Sequence, residues 1–251
     1  MMVAWRMFAL AATFGLGPSV AKAADCEHGV LGTSRVLAIE AKTTPRIGKP
    51  FASTLPLDSH EVVLTFDDGP RTTTTAHVLD ALARQCVRAI FFVIGQNGVA
   101  HPDLLRRERA EGHTIGYHTW SHPLLDRIAP NIAEAEIDHG IDAVERVLYG
   151  GAEPAPPTRF FRFPGLASSS TLLDRLAGRG IVSFGADLWA SDWRPMTPDA
   201  ELKLVMQRLN TLGRGIVLFH DTKAQTAAML PAFLEALQEQ KFRVVTVVPA
   251  P

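Results

Sequence analysis

The sequence lacks any cluster of Lys or Arg alternating with aromatics, and its net charge is only −1. A groove that tracks phosphates needs such a basic, aromatic stripe, so nucleic acid is not expected among the partners. Cysteine is scarce. Cys26 and Cys86 are the only two, and at most one disulfide can staple the chain. Spacing leaves their pairing open, because it does not say whether the α-carbons approach within about 7 Å. There is no internal repeat and no second segment with the apolar spacing of a separate core. With 251 residues, 47% hydrophobic and 20% charged, the chain has the composition of one sizeable globular domain rather than a disordered one.

A long hydrophobic run is missing too. The N-terminal stretch carries Arg6, an apolar segment broken by Gly15, Gly17 and Pro18, and then Ala21-Lys22-Ala23. It is too short to span a bilayer comfortably and reads as a secretion signal, residues 1–23, cleaved before Ala24. A retained amphipathic anchor is the alternative. Cleavage removes Arg6 and Lys22 from the 25 basic residues and none of the 26 acidic ones, leaving a mildly acidic net charge of −3. The expected location is therefore secreted or periplasmic, without stable membrane insertion and with a monomer favoured. An oxidising compartment would also let a Cys26–Cys86 bond persist.

Residues 24–59 form a lead-in, with an edge strand expected in "GTSRVLAIEAK". From residue 60 to 251, short apolar runs alternate with helical spacing. The runs are 62–66, 89–94, 113–117, 159–163, 181–186, 216–219 and 243–248. Helical faces are marked by Val78, Leu79 and Leu82, by Ile137, Ile141, Val144 and Val147, and by Leu230, Phe233, Leu234 and Leu237. Such alternation predicts an α/β fold with parallel strands and outer helices, as a barrel or an open sheet. In both, functional side chains gather at the carboxyl ends of strands. Polar residues follow five of the runs: Asp67 and Asp68, His118 and His122, Pro164 and Gly165, Asp187 and Asp192, and His220 and Asp221.

"EVVLTFDDGP" ends an apolar strand on two adjacent carboxylates, an arrangement that calls for a compensating cation or proton unless Asp-Asp-Gly-Pro is simply a polar turn. "HTWSH" supplies His118 and His122 at i and i+4. On one helical turn these would share a face and could grip one ion. Thr119 stands where a zincin motif needs Glu. With Asp68, the two imidazoles make a nitrogen-nitrogen-oxygen set with room for water and substrate. Asp67 is then free to take a proton from the attacking water.

Together, "TFDDG", "HTWSH", the Arg162-Phe163-Pro164 segment, Asp192-Trp193 and "LFH" at 218–220 resemble the polysaccharide deacetylases of the NodB-homology type, carbohydrate esterase family 4. The resemblance runs over about residues 60–248. It implies a distorted, incomplete (β/α) barrel and metal-dependent removal of acetyl groups from N- or O-acetylated glycans such as chitin-like polymers or peptidoglycan. It further implies Asp67 as general base, and Asp68, His118 and His122 as ligands of one divalent ion, commonly zinc, with cobalt or another divalent ion as alternatives. His220 matches the general acid, Asp192 the aspartate that tunes it, and Arg162 an arginine lining the groove. Gly165, Trp193 and Leu218 fall at substrate-contact positions, Gly165 through a main-chain N–H toward the oxyanion.

Two departures bear on the groove. "RFPGL" replaces the Arg-Pro-Pro-Tyr-Gly of many relatives, and Trp189 stands where an acid usually precedes Asp192 by three residues. Trp120, Trp189 and Trp193 suit either sugar stacking or core packing. His77, His101, His113 and His139 read as surface or satisfied polar residues, and His60 lies too far before its strand's end to join the site; "FFVIG" at 91–95 reads as core strand and "RRER" at 106–109 as a solvated helix face. Two rival functions are a catalytically silent, metal-containing glycan-binding module and a related amidase acting on a non-carbohydrate amide.

Overall fold

Strand parity explains how this chain builds one rim of functional groups. The structure is a computed structural model that describes residues 29–151 and 158–250. The expected signal at 1–23, Cys26 and the prolines Pro154, Pro156 and Pro157 lie outside the described residues. The strands are β1 (Thr33–Ile39), β2 (Arg46–Ile47), β3 (Glu61–Asp67), β4 (Ile90–Val93), β5 (Thr114–Tyr117), β6 (Phe160–Phe161), β7 (Val182–Phe184), β8 (Leu188–Trp189), β9 (Gly215–His220) and β10 (Arg243–Pro249). The helices are α1 (Thr74–Arg84), α2 (Gly95–Ala100), α3 (Pro102–Ala110), α4 (Pro130–Tyr149), α5 (Ser170–Gly178), α6 (Pro198–Leu212) and α7 (Ala224–Glu239).

Every pairing among the described strands is parallel, in the order β1-β10-β3-β4-β5-β6-β7-β2, with β9 also on β3 and β8 on β9. The ring runs β8-β9-β3-β4-β5-β6-β7-β2, and its ends, β2 and β8, do not pair, so it is incomplete there. All seven expected runs contain strands, and the edge strand of the lead-in is β1. The two-residue strands β2 and β8 are too short to produce a periodic signal.

Alternate residues on each strand face opposite layers. On β3, Val62, Leu64 and Phe66 pack outward among the helix faces of Val78, Ile137, Leu230 and their neighbours, while Val63 joins Ile90, Phe92, Phe160, Phe184, Ile216 and Leu218 inside the ring. Both faces of the strands are buried, which is why they read as continuous apolar runs. Gly116 sits on the inner face of β5, where a Cβ would come within 2.5 Å of the Phe92 ring. Continuing the inner parity to the strand ends brings Asp67, His118, Arg162 and His220 to one end of the ring.

Helix ends follow ordinary chemistry. α6 starts with Thr197, whose hydroxyl accepts from Ala200 N–H, has Pro198 at its first position and stops at Gly213 with φ 72°. "RRER" departs from its expectation as a solvated face, because Glu108 is fully buried with both carboxylate oxygens unpartnered. Burial, with the charge of nearby Asp221, pushes its carboxyl well above the ordinary range. Its neighbour Arg107 bridges Asp80 and Glu111, and Arg109 lies over the Tyr149 ring. No helix among the described residues is long and apolar enough to cross a membrane.

Candidate active site and metal centre

β3 delivers the two carboxylates in different directions. Asp67 ends the strand in extended backbone and points into the ring, only 3% exposed. Asp68 turns away with φ 78°, a left-handed conformation that costs a non-glycine residue about 1–2 kcal/mol. Its carbonyl accepts from Asn97 Nδ2 at 2.7 Å, which helps hold that turn.

"HTWSH" is not a helical turn. It is an irregular loop after β5, with Thr119 at φ 66° and His122 at φ 68°. The imidazoles nevertheless converge, their ring centroids 4.9 Å apart. The loop is held from outside: the carbonyls of Thr119 and Trp120 accept N–H groups at the start of α2, and Trp120 N–H bonds Glu136 O. Ser121 donates its N–H and its hydroxyl to the Glu136 carboxylate at 2.8 Å each. Behind it, Gly140 of α4 packs so closely that a Cβ would lie 2.4 Å from the Thr119 carbonyl carbon. We expect Gly140→Ala to weaken divalent-metal affinity about tenfold or more without touching a ligand, as measured by calorimetric metal titration. Unchanged affinity would remove the loop's backing from the account.

Asp68, His118 and His122 offer ligand atoms all within 4.8 Å of one another. His118 Nε2 is 3.5 Å and His122 Nε2 3.3 Å from Asp68 Oδ1, which is itself buried and unpartnered. His118 Nδ1 lies 2.6 Å from the Arg162 carbonyl, which can only accept, so Nδ1 carries the proton and Nε2 turns a lone pair toward Asp68. Burial holds His118 down at about 3, well below an ordinary histidine, so at neutral pH that lone pair is free. Three electron-pair donors aimed at one point fit a divalent cation and little else.

Arg162 departs from the expectation that it lines the groove. It is fully buried inside the ring, stacked 4.1 Å over Phe92. Its guanidinium donates to Phe184 O, Gly185 O, Thr65 Oγ1 and, at 2.6 Å, Asp67 Oδ1. The parity that puts Phe160 inside puts Arg162 inside too, a signal present in the sequence. Burial raises the Asp67 carboxyl above its usual value, and the Arg162 charge and hydrogen bond oppose that rise. Asp67 Oδ2 is left facing His118 Nε2 at 3.9 Å.

His220 stands across the triad, with Nε2 4.0 Å from Asp68 Oδ2 and Nδ1 2.7 Å from Asp192 Oδ1. Burial alone would lower its pKa. The bond to Asp192 and that residue's charge, with Asp67 and Asp68 adding to them, outweigh burial and bring it up to about 9.

Asp67, His118, His122 and His220 line a cavity of about 270 Å³ that Phe163, Gly165, Leu166, Trp189, Trp193 and Leu218 complete. Gly165, at φ 59°, approaches Leu124 so closely that a Cβ would clash at 2.8 Å. Trp193 is 48% exposed at the rim and edge-on to His220, whereas Trp120 stacks on His139 at 3.9 Å and does not line this cavity. Asp187 lies elsewhere, bonded to Thr54 and Ile216 N–H. His60 packs on Phe242 and His113 accepts from Ala89 N–H, both ordinary structural roles. Two contributors carried no motif signal, Glu136 and Gly140 behind the histidine loop; Asp221, at the end of the 216–219 run, is buried against Gly69 and bonded by Thr75.

The family model for polysaccharide deacetylase matches residues 55–183. The chain belongs to the polysaccharide deacetylase family. It is 32% identical over 186 residues to a peptidoglycan-N-acetylglucosamine deacetylase of Listeria monocytogenes, covering 74% of this chain and 38% of the relative. It is 31% identical to a chitooligosaccharide deacetylase of Bradyrhizobium, covering 74% and 88%. Among solved structures, a Bdellovibrio bacteriovorus peptidoglycan deacetylase superimposes with a TM-score of 0.77 at 29% identity, covering 89% of this chain and 61% of that one. The chain thus spans only about two fifths of the Listeria deacetylase. The deacetylase family's incomplete (β/α) barrel is the fold described above.

Proposed function

We propose that this deacetylase-family chain is an exported hydrolase that removes acetyl groups from an acetylated glycan, with peptidoglycan or a chitin-like polymer as substrate and one divalent ion, zinc, held by Asp68, His118 and His122. The observation that carries the reading is the opposed pair flanking the triad: a carboxylate anchored by a buried arginine on one side, and a histidine anchored by a buried aspartate on the other. A silent binding module needs neither a base nor an acid.

When bound, the cation supplies Lewis acidity, polarising the acyl oxygen and lowering the pKa of water at the site. Asp67 Oδ2 takes the proton of the attacking water, its other oxygen fixed by Arg162. The turn at Gly165 offers a main-chain N–H to the oxygen on which charge develops. His220, protonated through its pairing with Asp192, delivers a proton to the departing sugar nitrogen or oxygen. Leu218 and Trp189 provide the apolar wall for the acetyl methyl, and Trp193 a face for the sugar ring. Residues 1–23 serve as the export signal.

The test is acetate release from peptidoglycan, chito-oligosaccharides and acetylxylan by a metal-defined preparation, with and without chelator. No release from any of them, with metal bound, would favour the silent module.

The pH profile gives a sharper check. His220 must be protonated to act, so activity falls as pH rises through its pKa. In Asp192→Asn an amide oxygen can still accept from Nδ1–H, but the negative charge that helps outweigh burial is gone, and the His220 pKa drops back toward the ordinary 6.5. The alkaline limb of kcat is therefore expected to move down by about two units, and kcat at pH 8 to fall about tenfold or more. An unmoved limb would separate His220 from the proton-delivering step.

A further inference from the structure

Behind the His220–Asp192 pair, the polar chain continues away from the cavity. Asp192 Oδ2 accepts His220 N–H at 2.6 Å and lies 2.9 Å from the hydroxyl of Thr226 on α7. The same hydroxyl is 2.9 Å from Oε1 of Glu201 on α6. Asp192 is 1% exposed, and Thr226 and Glu201 are not exposed at all. Glu201 Oε2 is buried without a partner.

The hydrogen count is restrictive. A threonine hydroxyl has one hydrogen and stands here between two carboxyl groups. If both were ionised, one would face the hydroxyl's lone pairs at hydrogen-bond distance, and Glu201 Oε2 would be a buried anionic oxygen with no donor. Asp192 bears the charge that keeps His220 protonated, so the extra hydrogen belongs on Glu201 Oε1. Every short contact is then a hydrogen bond: Glu201 O–H to Thr226, Thr226 O–H to Asp192, and His220 N–H and Nδ1–H to Asp192.

We propose that Glu201 is held as a neutral carboxylic acid which, by donating to Thr226 and so committing the threonine hydroxyl to Asp192, fixes the carboxylate that orients His220. Glu201 and Thr226 are positioning residues, two links removed from the cavity. Burial points the same way, pushing the Glu201 carboxyl up to about 7 against a lowering bond from Thr226, with the charge of Asp192 adding to the rise and that of His220 opposing it. A hydroxyl committed to Asp192 withdraws the lowering bond. Asp192 and His220 are the charged groups that face Glu201.

The effect on turnover rests on the function proposed above, but the proton on Glu201 does not, and two readouts keep them apart. In the metal-loaded protein at pH 6, the infrared difference spectrum of wild type minus E201Q is expected to show the carbonyl band of a protonated carboxyl group. Carboxylate bands alone would overturn the proposal. For turnover, E201Q keeps a neutral donor toward Thr226 and is expected to stay within twofold of wild type in kcat, with its alkaline limb unmoved. Thr226→Val lowers kcat about tenfold with KM within twofold, and Thr226→Ser restores it. A tenfold loss in E201Q would show that the negative charge matters and would also overturn the proposal. A preparation with the protonated-carboxyl band but no acetate release would sink the deacetylase reading and leave the proton on Glu201 standing.

Discussion

Asp67→Asn is expected to lower kcat by about 10³-fold or more while the protein keeps its metal. The substitution is nearly isosteric, and the amide oxygen can still accept from Arg162 Nη1, so the guanidinium is not stripped of its 2.6 Å partner. The atom facing His118 Nε2 becomes an N–H donor in place of a carboxylate oxygen, and nothing remains there to take a proton. None of the three ligand residues is altered. His118→Ala behaves differently: it deletes one of the three donors within 4.8 Å and the tether to the Arg162 carbonyl, so metal and turnover go together. Metal content by plasma emission and acetate release on the same preparations distinguish the two variants. Turnover by the asparagine variant within tenfold of wild type would falsify the base assignment, and metal retention by His118→Ala would move the ion elsewhere.

The strands were legible because both faces are buried, making each an apolar run, and because period 2 puts functional residues at their ends. The candidate metal ligands were legible because one aspartate and two histidines from separate segments must converge, and each of those segments is recognisable. The geometry of "HTWSH" was not. Spacing of i and i+4 suits a helix, yet the loop reaches the same convergence through left-handed Thr119 and His122, clamped by Glu136 and Gly140 on the next helix, α4. No local pattern carries that clamp. Glu108 was misread for a related reason, since a glutamate among three arginines looks solvated until α3 docks against the site of Asp221. Thr226 and Glu201 follow the same rule, because each lies on a helix whose inward face is decided only when α6 and α7 pack on the strands. Arg162 is the opposite case. Its parity with Phe160 already placed it inside, whereas the resemblance put it on the groove wall.

That burial is the basis of the expected result at Arg162. Arg162→Met leaves the Asp67 carboxyl 3% exposed with its cation removed, and removing one partner of a buried pair typically costs about 3–5 kcal/mol. The sign of the pH dependence follows from linkage. Asp67 already has a folded pKa above its unfolded value, so its neutral form is favoured by folding and its contribution weakens as pH rises from about 4 upward. Without Arg162 the folded value climbs further, so the stability lost by Arg162→Met should be larger at pH 8 than at pH 5, as read by thermal melts of the two proteins. The same climb moves the acid limb of any residual activity to higher pH, because more alkaline conditions are needed to make the base. Arg162→Lys is not expected to rescue it: a single ammonium cannot reach Phe184 O, Gly185 O, Thr65 Oγ1 and Asp67 Oδ1 from one position. Combining Arg162→Met with Asp67→Asn removes the stranded carboxyl, and the double variant should melt above Arg162→Met alone. If it melts lower, or if the single variant's deficit is the same at both pH values, the arginine is a packing element and Asp67 keeps its charge by other means.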